Sequence, residues 1–418
     1  MNSKERFIST LHHRQPDKVA IDFGSTATSG IHVLAVERLR DYYGLNKHPV
    51  KVIDPYQMLG EIEPDLQEVL GVDVIGAWGK NNIFGIANEN WKEFNTPWGQ
   101  KVLVPGNFNT RTDENGDLLM FPQGDMSVPA SGRMPETGYF FDAIIRQQPI
   151  NDAELNPEDN LEEFLNVTDE ELVYWEMLIE SSLKSGKGII ANFGGTSLGD
   201  IALVPGLDMK YPKGIRDIAE WYMSIIMRSD YIHAVFAKQT DIALSNLRKI
   251  YQAVGNRVDA VEICGNDFGT QDSLFCSPET FREMYTPYYR KMNDWVHQNT
   301  TWKTFKHSCG AVVPLLNHFI EAGFDILNPV QINASGMDPE FLKENFGERI
   351  VFWGGGVDTQ KMLPFGTPDE IEKQVLRMCE IFSKNGGFVF NTVHNIQANV
   401  PVENIAAIIR ALRIYNHC

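Results

Sequence analysis

Two patterns of apolar residues alternate along the chain. One is a short, nearly unbroken apolar run; the other places apolar residues three to four positions apart. The runs are VAIDFG (19–24), DVIGAWG (73–79), GIIANFGG (188–195), VDAVEICG (258–265), KTFKHSCG (303–310), FDILNPV (324–330), RIVFWGGGV (349–357) and GFVFNTVHNI (387–396). Strands covered on both faces read this way. The helical spacing predicts helices over 3–13, 31–44, 55–71, 168–186, 311–323 and 402–415, and two over 214–254 broken near Ser229-Asp230. Thr168 with Glu171 forms a capping box, and Thr367-Pro368-Asp369-Glu370 caps a helix to about 385. Ser277-Pro278 starts another, with proline at the first helical position.

From about 80 to 150 the pattern changes to Asn, Gly, Pro and aromatics without a helical period. Asn115-Gly116, between FNTRTDE and DLLMFP, predicts a two-residue hairpin whose turn residues both take positive φ. This segment reads as a β-rich insertion. The alternation fits an open doubly wound sheet or a closed ring. Eight strand candidates favour the ring, so the expected fold is α/β, a single (β/α)8 TIM barrel with an N-terminal helix. One domain over 1–418 is expected, with the insertion spanning 80–160, although length alone would suggest two or three domains.

Composition narrows the partners. The net charge is −18, which argues against nucleic acid or anionic membrane as the main partner. No run of about 20 apolar residues predicts a transmembrane span. The start, MNSKERFISTLHHRQPDK, lacks the apolar core of a secretory signal. Five scattered cysteines, Cys264, Cys276, Cys309, Cys379 and Cys418, suit a reducing, cytoplasmic setting. Cys264 reads as core, and Cys276, Cys379 and Cys418 as packing or surface residues.

Barrel enzymes carry their chemistry at the C-terminal ends of the strands. The polar residues there are Asp22, Asn192, Glu262, Asn266, Asp267, His307, Cys309, Asn328, Gln331, Asp358, Asn391, His394, Asn395 and Gln397. His307 and Cys309 are two apart on one strand, so they share a face. Imidazole and thiolate are preferred zinc ligands, and His394 at the end of the last strand is the third candidate. Three protein ligands leave a tetrahedral position open, the pattern of a catalytic site. The competing reading is a buried cysteine beside a hydrogen-bonded core histidine. Gly354-Gly355-Gly356 lacks the spacing of a phosphate loop and reads as a close backbone approach. Met223, Met227, Met284 and Met292 read as core fillers. Phe23, Phe193, Phe268 and Trp353 are candidates to line an apolar pocket, or else barrel packing.

Several segments together resemble the uroporphyrinogen decarboxylase superfamily. They are ERFISTLHHRQPDKVAIDFG, GNDFGTQDSLFCSPETFREMYTPYYRKM (265–292), HSCG, GGGVDTQKMLPFGTPDEI and HNIQANVPVENI. The resemblance spans nearly the whole chain outside 80–160 and implies a (β/α)8 barrel. The decarboxylases carry an arginine-rich "MRQAGRYLPEY" segment after the first strand. Here that stretch reads DFGSTATSGIHVL, and no arginine lies between Arg14 and Arg38. A tetra-anionic porphyrinogen therefore lacks its cationic partners. The corrinoid-dependent methyltransferase branch resembles the chain in having H-x-C followed far downstream by a Cys before "P-ENI". His307 and Cys309 match the first two, and His394 stands in place of that Cys.

The resemblance implies a zinc-dependent methyltransferase that moves a methyl group between a small molecule and a corrinoid protein. Replacing one thiolate by imidazole makes the metal less negative, which favours methoxy donors over thiol chemistry. The corrinoid (cobalamin) belongs to the partner, because the chain lacks a D-x-H-x-x-G signature. In this reading His307, Cys309 and His394 hold zinc. Asp267, Gln271 and Glu262 act catalytically, with Glu262 or water in the fourth metal position. Asn266, Asn328, Gln331, Trp353 and Phe23 contact substrate. Two other readings are a decarboxylase of a different substrate, using Asp22 or Asp267, and a non-catalytic partner-binding barrel.

Overall fold

A computed structural model describes residues 1–417. Eight parallel strands form one sheet. They are β1 (Ala20–Ile21), β2 (Val74–Ala77), β3 (Gly188–Ala191), β4 (Ala260–Cys264), β5 (Lys303–His307), β6 (Ile326–Asn328), β7 (Val351–Trp353) and β8 (Phe388–Phe390). β1 pairs with β8, and each later strand pairs with the next in sequence. At the seam between β1 and β2 the Asp73 N–H donates to Ile21 O at 2.8 Å, and the Ile21 N–H donates to the Asp73 carboxylate at 3.1 Å. The eight runs seen in the sequence are these strands, and helices surround them in a (β/α)8 barrel. Cys418 lies outside the described residues.

Period-two alternation sorts the strand residues. Val74, Ile190, Ala260, Phe305, Ile326, Val351, Trp353 and Val389 form an inner apolar cluster with Phe7 and Leu11 of the first helix, Ser3–Leu11. Val261, Ile263, Leu327, Phe352 and Phe390 face outward into the larger core beneath the helices. Phe7 plugs the barrel base, edge-on to Trp353 with ring centroids 5.4 Å apart. Gly188 makes room for it, since a Cβ there would lie 2.2 Å from the Phe7 ring.

The helix expectations hold at most positions. Thr168 and Thr367 are capping-box N-caps, and Arg228 separates Ile218–Met227 from Ser229–Val254. Three expectations are corrected. The predicted helix 55–71 is only Pro64–Leu70. Before it, Asp54 accepts from the Tyr56 and Gln57 N–H groups, and the turn joins Val52–Asp54 to the antiparallel Leu59–Gly60. The hairpin at Asn115-Gly116 has three loop residues rather than two. Asp113 and Asp117 still pair, and of the loop only Gly116 takes positive φ, at 86°. That is a type I turn closed by a left-handed glycine. Met284 and Met292 are core, but Met223 and Met227 are 47% and 71% exposed.

The insertion is β-rich, as expected. Lys92–Asn95 pairs with Lys101–Val104, and four short strands between Thr110 and Ala143 form a second sheet. Its Phe84, Phe108, Met120 and Phe141 join the core cluster that holds the barrel's outer face.

Phe7 is fully buried at the centre of the plug. Phe7→Ala should lower unfolding free energy by about 3–5 kcal/mol, read from the denaturant midpoint at unchanged m-value.

Candidate active site at the barrel mouth

Two residues beyond each inner apolar position, the same face carries the strand-end residue. These are Asp22, Gly76, Asn192, Glu262, His307, Asn328, Trp353 and Asn391. The inner wall is therefore apolar below and largely polar above.

His307 ends β5, and Cys309 follows on the same side. Their Nε2 and Sγ atoms are 3.5 Å apart. The segment after β8 brings His394 over the ring axis, its imidazole 5.8 Å from that of His307. One ligand atom from each of His307, Cys309 and His394 lies within 4.8 Å of the other two. Among the described residues, the group has these three members and does not include Glu262. Three residues separated by up to 87 positions thus meet because β5 and β8 face one axis.

The neighbours fix this geometry. Asn328 Nδ2 donates to Trp353 O at 3.0 Å, and its Oδ1 accepts from Thr28 Oγ1 at 3.0 Å. The same Oδ1 lies 2.7 Å from His307 Nδ1. That oxygen only accepts, so His307 carries a proton on Nδ1 and presents Nε2 to Cys309. The Cys309 N–H donates to Asp267 Oδ1 at 2.6 Å, and the Gly310 N–H to Gln331 Oε1 at 2.7 Å. Gly310 has φ 96°, and a Cβ there would lie 2.3 Å from the Gly269 backbone. The cysteine loop is therefore seated against the loop that follows β4.

The electrostatics are uneven. Asp267 Oδ1 is 3.4 Å from His307 Nε2. Burial opposes its ionisation, but hydrogen bonding and charge attraction from His307 hold its carboxyl below the usual range. Burial raises the Cys309 thiol, and Asp267 adds to this. Glu262 is pushed up to about 7 by burial, and Asp22 to about 6. Burial lowers His394 to about 4, so its imidazole is neutral at pH 7 and free to ligate.

Several expected contacts have other roles. Trp353 is fully buried in the barrel interior between Phe7 and Phe305, and its indole N–H donates to Asp22 Oδ2 at 2.8 Å. It does not line a substrate pocket. Phe23 faces outward against Phe390, Phe193 packs between Trp175 and Trp302, and Phe268 sits among Phe281, Tyr285 and Phe319. Bulky side chains at strand ends turn outward wherever alternation sends them there. Asn266 is fully buried and bonds Leu198 O and the Ile201 N–H, pinning that loop rather than facing a ligand. Gln271 donates to Asn333 O and accepts from Gln331, so this pair supports the Gly310 turn. Asn395 ties Gly30, Ala27 and Gln57 together. In Gly354-Gly355-Gly356 the first and last N–H groups bond Val389 O and Asn391 O, and a Cβ on Gly356 would meet the Phe390 ring at 2.2 Å. A close approach, as expected, explains the glycines.

Sequence reasoning missed Asp200 and Thr28. Asp200 is buried beside Gly265, with its carboxylate bonded to Ser197 and the Ala202 N–H. Both lie in long loops after strands, where no periodicity marks a side chain's direction. A cavity of about 380 Å³ at the other end of the barrel, lined by Arg6, Asp73, Lys187 and Arg413, is separate from this site.

The model of the family described as uroporphyrinogen decarboxylase (URO-D) matches residues 209–415, which include β4 to β8 and all three convergent residues. Over these residues, just under half of the chain, the sequence is similar to the uroporphyrinogen decarboxylase family. A solved methyltransferase from Methanosarcina mazei is similar over 99% of both chains, at 16% identity and TM-score 0.53, and shares the fold. Weaker partial matches include a D-psicose 3-epimerase in the presence of D-fructose (9% identity, TM-score 0.35, 59% of this chain and 85% of that one). Another is a GH113 beta-1,4-mannanase (11% identity, TM-score 0.29, 60% and 79%). No curated protein matches.

The Asp22–Trp353 contact can be watched directly. With 5-fluorotryptophan incorporated, the Trp353 resonance should titrate with a midpoint near pH 6, as Asp22 ionises on going to higher pH. Asp22→Asn should remove that titration, and a flat profile in the unmodified protein would show that Asp22 does not titrate there.

Proposed function

We propose that the chain is a zinc-dependent methyltransferase of a corrinoid-linked system. It transfers a methyl group between a small methylated compound, with methoxy compounds as favoured donors, and a corrinoid carried by a partner protein. The observation that carries this reading is the convergence of His307, Cys309 and His394. The Methanosarcina methyltransferase likeness supports the same class of activity.

The donor set fits zinc. Two imidazoles and a thiolate are typical ligands, with bonds of about 2.0–2.3 Å. The 3.5 Å between His307 Nε2 and Cys309 Sγ suits two ligands of one tetrahedral ion. Asn328 supplies the outer hydrogen bond that fixes a ligating histidine's ring and tautomer. Zinc held by these three residues would supply Lewis-acid activation of a substrate heteroatom at the open fourth position.

The chain's own groups perform the remaining work. Asp267, ionised beside His307 Nε2, stabilises positive charge on that ring, and its bond to the Cys309 N–H holds the thiol in place. Glu262, pushed up to about 7 by burial, carries or releases a proton near neutral pH and is suited to protonate a leaving phenolate or alkoxide. Gln331 and Gln271 brace the cysteine loop. Cys309 and His394 are partly exposed at the C-terminal end of the barrel, the face on which a corrinoid protein would dock. The decarboxylase reading loses Asp22, whose carboxylate is fully buried and committed to Trp353.

Purified protein should contain about one zinc per chain by elemental analysis, and Cys309→Ser should lose it. A metal-free protein with full activity would overturn the mechanism. Asn328→Ala leaves all three ligands but frees the His307 ring, so zinc affinity by chelator competition should fall about 10- to 100-fold. Binding displaces protons from His307 and Cys309, so apparent zinc affinity should rise with pH, about tenfold per unit for each proton displaced. For the donor, methoxylated aromatics with a cob(I)alamin carrier should give methylcobalamin, read from its absorbance. Failure with methoxy donors but turnover with methylated amines or thiols would refute the donor class alone.

A further inference from the structure

On the outer side of β5, next to His307 in sequence, Lys306 is fully buried. Its ammonium lies 4.3 Å from the centre of the Phe268 ring, 4.4 Å from Phe319 and 5.4 Å from Phe324. A buried lysine ordinarily has a carboxylate partner. Here the hydrogen-bond partner found among the described residues is a thiol, Cys264 Sγ, at 3.1 Å. Cys264 is also fully buried.

The backbone brings about this meeting. Cys264 and Lys306 are register partners on adjacent strands, and the register shifts between Glu262 and Cys264. Val261 and Ile263 face outward, so strict alternation would send Cys264 into the barrel. The bulge turns it out instead, onto Lys306. The amine and thiol are thus held together in a buried, largely aromatic compartment.

The geometry points to a covalent modification site: an oxygen-bridged Lys306–Cys264 cross-link, Nζ–O–Sγ, formed by peroxide. One equivalent of hydrogen peroxide converts the thiol to a sulfenic acid and leaves as water. A second converts the amine to a hydroxylamine, again releasing water. The hydroxylamine oxygen then attacks the sulfenyl sulfur, the O–S bond forms, and the sulfenic hydroxyl departs as a third water. Nitrogen and sulfur are each oxidised by two electrons, matching two peroxides reduced. A single bridging atom spans a 3.1 Å gap with less movement than a direct N–S bond requires. Peroxide is close to water in size and reaches buried groups through local opening. The bridge would tie β4 to β5, the strands that precede the Asp267 loop and the His307–Cys309 pair. It is a reversible modification independent of the transfer chemistry proposed above.

Peptide mass spectrometry tests it. The full-length protein is treated with hydrogen peroxide, denatured in an alkylating agent, and digested. A cross-linked peptide pair joining Cys264 and Lys306 is expected, about 14 Da heavier than the two free peptides together, for one oxygen gained and two hydrogens lost. Dithiothreitol should release it, and Cys264→Ala and Lys306→Arg should each abolish it. Circular dichroism of both variants checks folding, and the unsubstituted protein decides the question even if a variant does not fold. Cys264 recovered as free thiol, as sulfinic acid, in a disulfide, or joined to Lys306 about 2 Da light without oxygen would overturn the proposal.

Discussion

Closing eight parallel strands into a ring makes every second side chain face one axis. All other features of the site follow from this constraint. Below, the axis is filled by Phe7, Phe305, Trp353 and aliphatic residues; two residues higher, the same faces carry Asp22, Asn192, Glu262, His307, Asn328 and Asn391. No local interaction could bring His307 and His394 together, since they are 87 residues apart. The ring does so because the ends of β5 and β8 lie at one height. The seam at Asp73 and Ile21 is thus as necessary to the site as the site's own contacts.

Rigidity comes from the second layer of contacts. Asn328 uses both ends of its amide: Nδ2 donates to Trp353 O, and Oδ1 accepts from Thr28 and His307. An Asp at this position would lose the donor to Trp353 O and add a charge beside a ring whose neutral form is needed. Gly310 performs a different task. Its left-handed backbone lets the cysteine loop turn against Gly269, which any side chain would obstruct. The two devices fix the ring of His307 and the loop that carries Cys309.

The strands were legible because a run covered on both faces stands out in a sequence. The triad was legible because alternation predicts that His307 and Cys309 share a face, and family likeness directs attention to His394. Side-chain direction elsewhere was not legible. Phe23 and Phe268 sit at strand ends, but one faces outward and the other lies in a loop packed under helices. Asn266 and Asn328 look alike in sequence, yet one ties down a loop and the other orients His307. The bulge in β4 explains part of this difficulty, since one extra residue reverses the parity of all that follows. The first part of the helix assigned to 55–71 failed for another reason. Apolar spacing there is matched by Asp54, whose carboxylate caps a turn and competes with helical hydrogen bonds.

Charge also separates this barrel from one built for a polycarboxylate. The inward strand-end positions hold Asp22 and Glu262 and neither Lys nor Arg, while Asp200 and Asp267 add carboxylates from the loops. Lys306, on a strand that reaches the mouth, faces away into an aromatic compartment. Two unit charges of like sign 4 Å apart repel by roughly 4 kcal/mol at an effective dielectric constant of 20, and more in a drier site. A substrate with several carboxylates would meet that repulsion repeatedly, with neither Lys nor Arg at the inward strand-end positions to offset it. A small neutral molecule with one polar heteroatom meets none of it. A divalent ion on His307, Cys309 and His394 would lower the negative potential at the one point where such a heteroatom must bind. A wall of this sign disfavours a polycarboxylate and is in keeping with the metal-centred reaction on a small methylated compound proposed above.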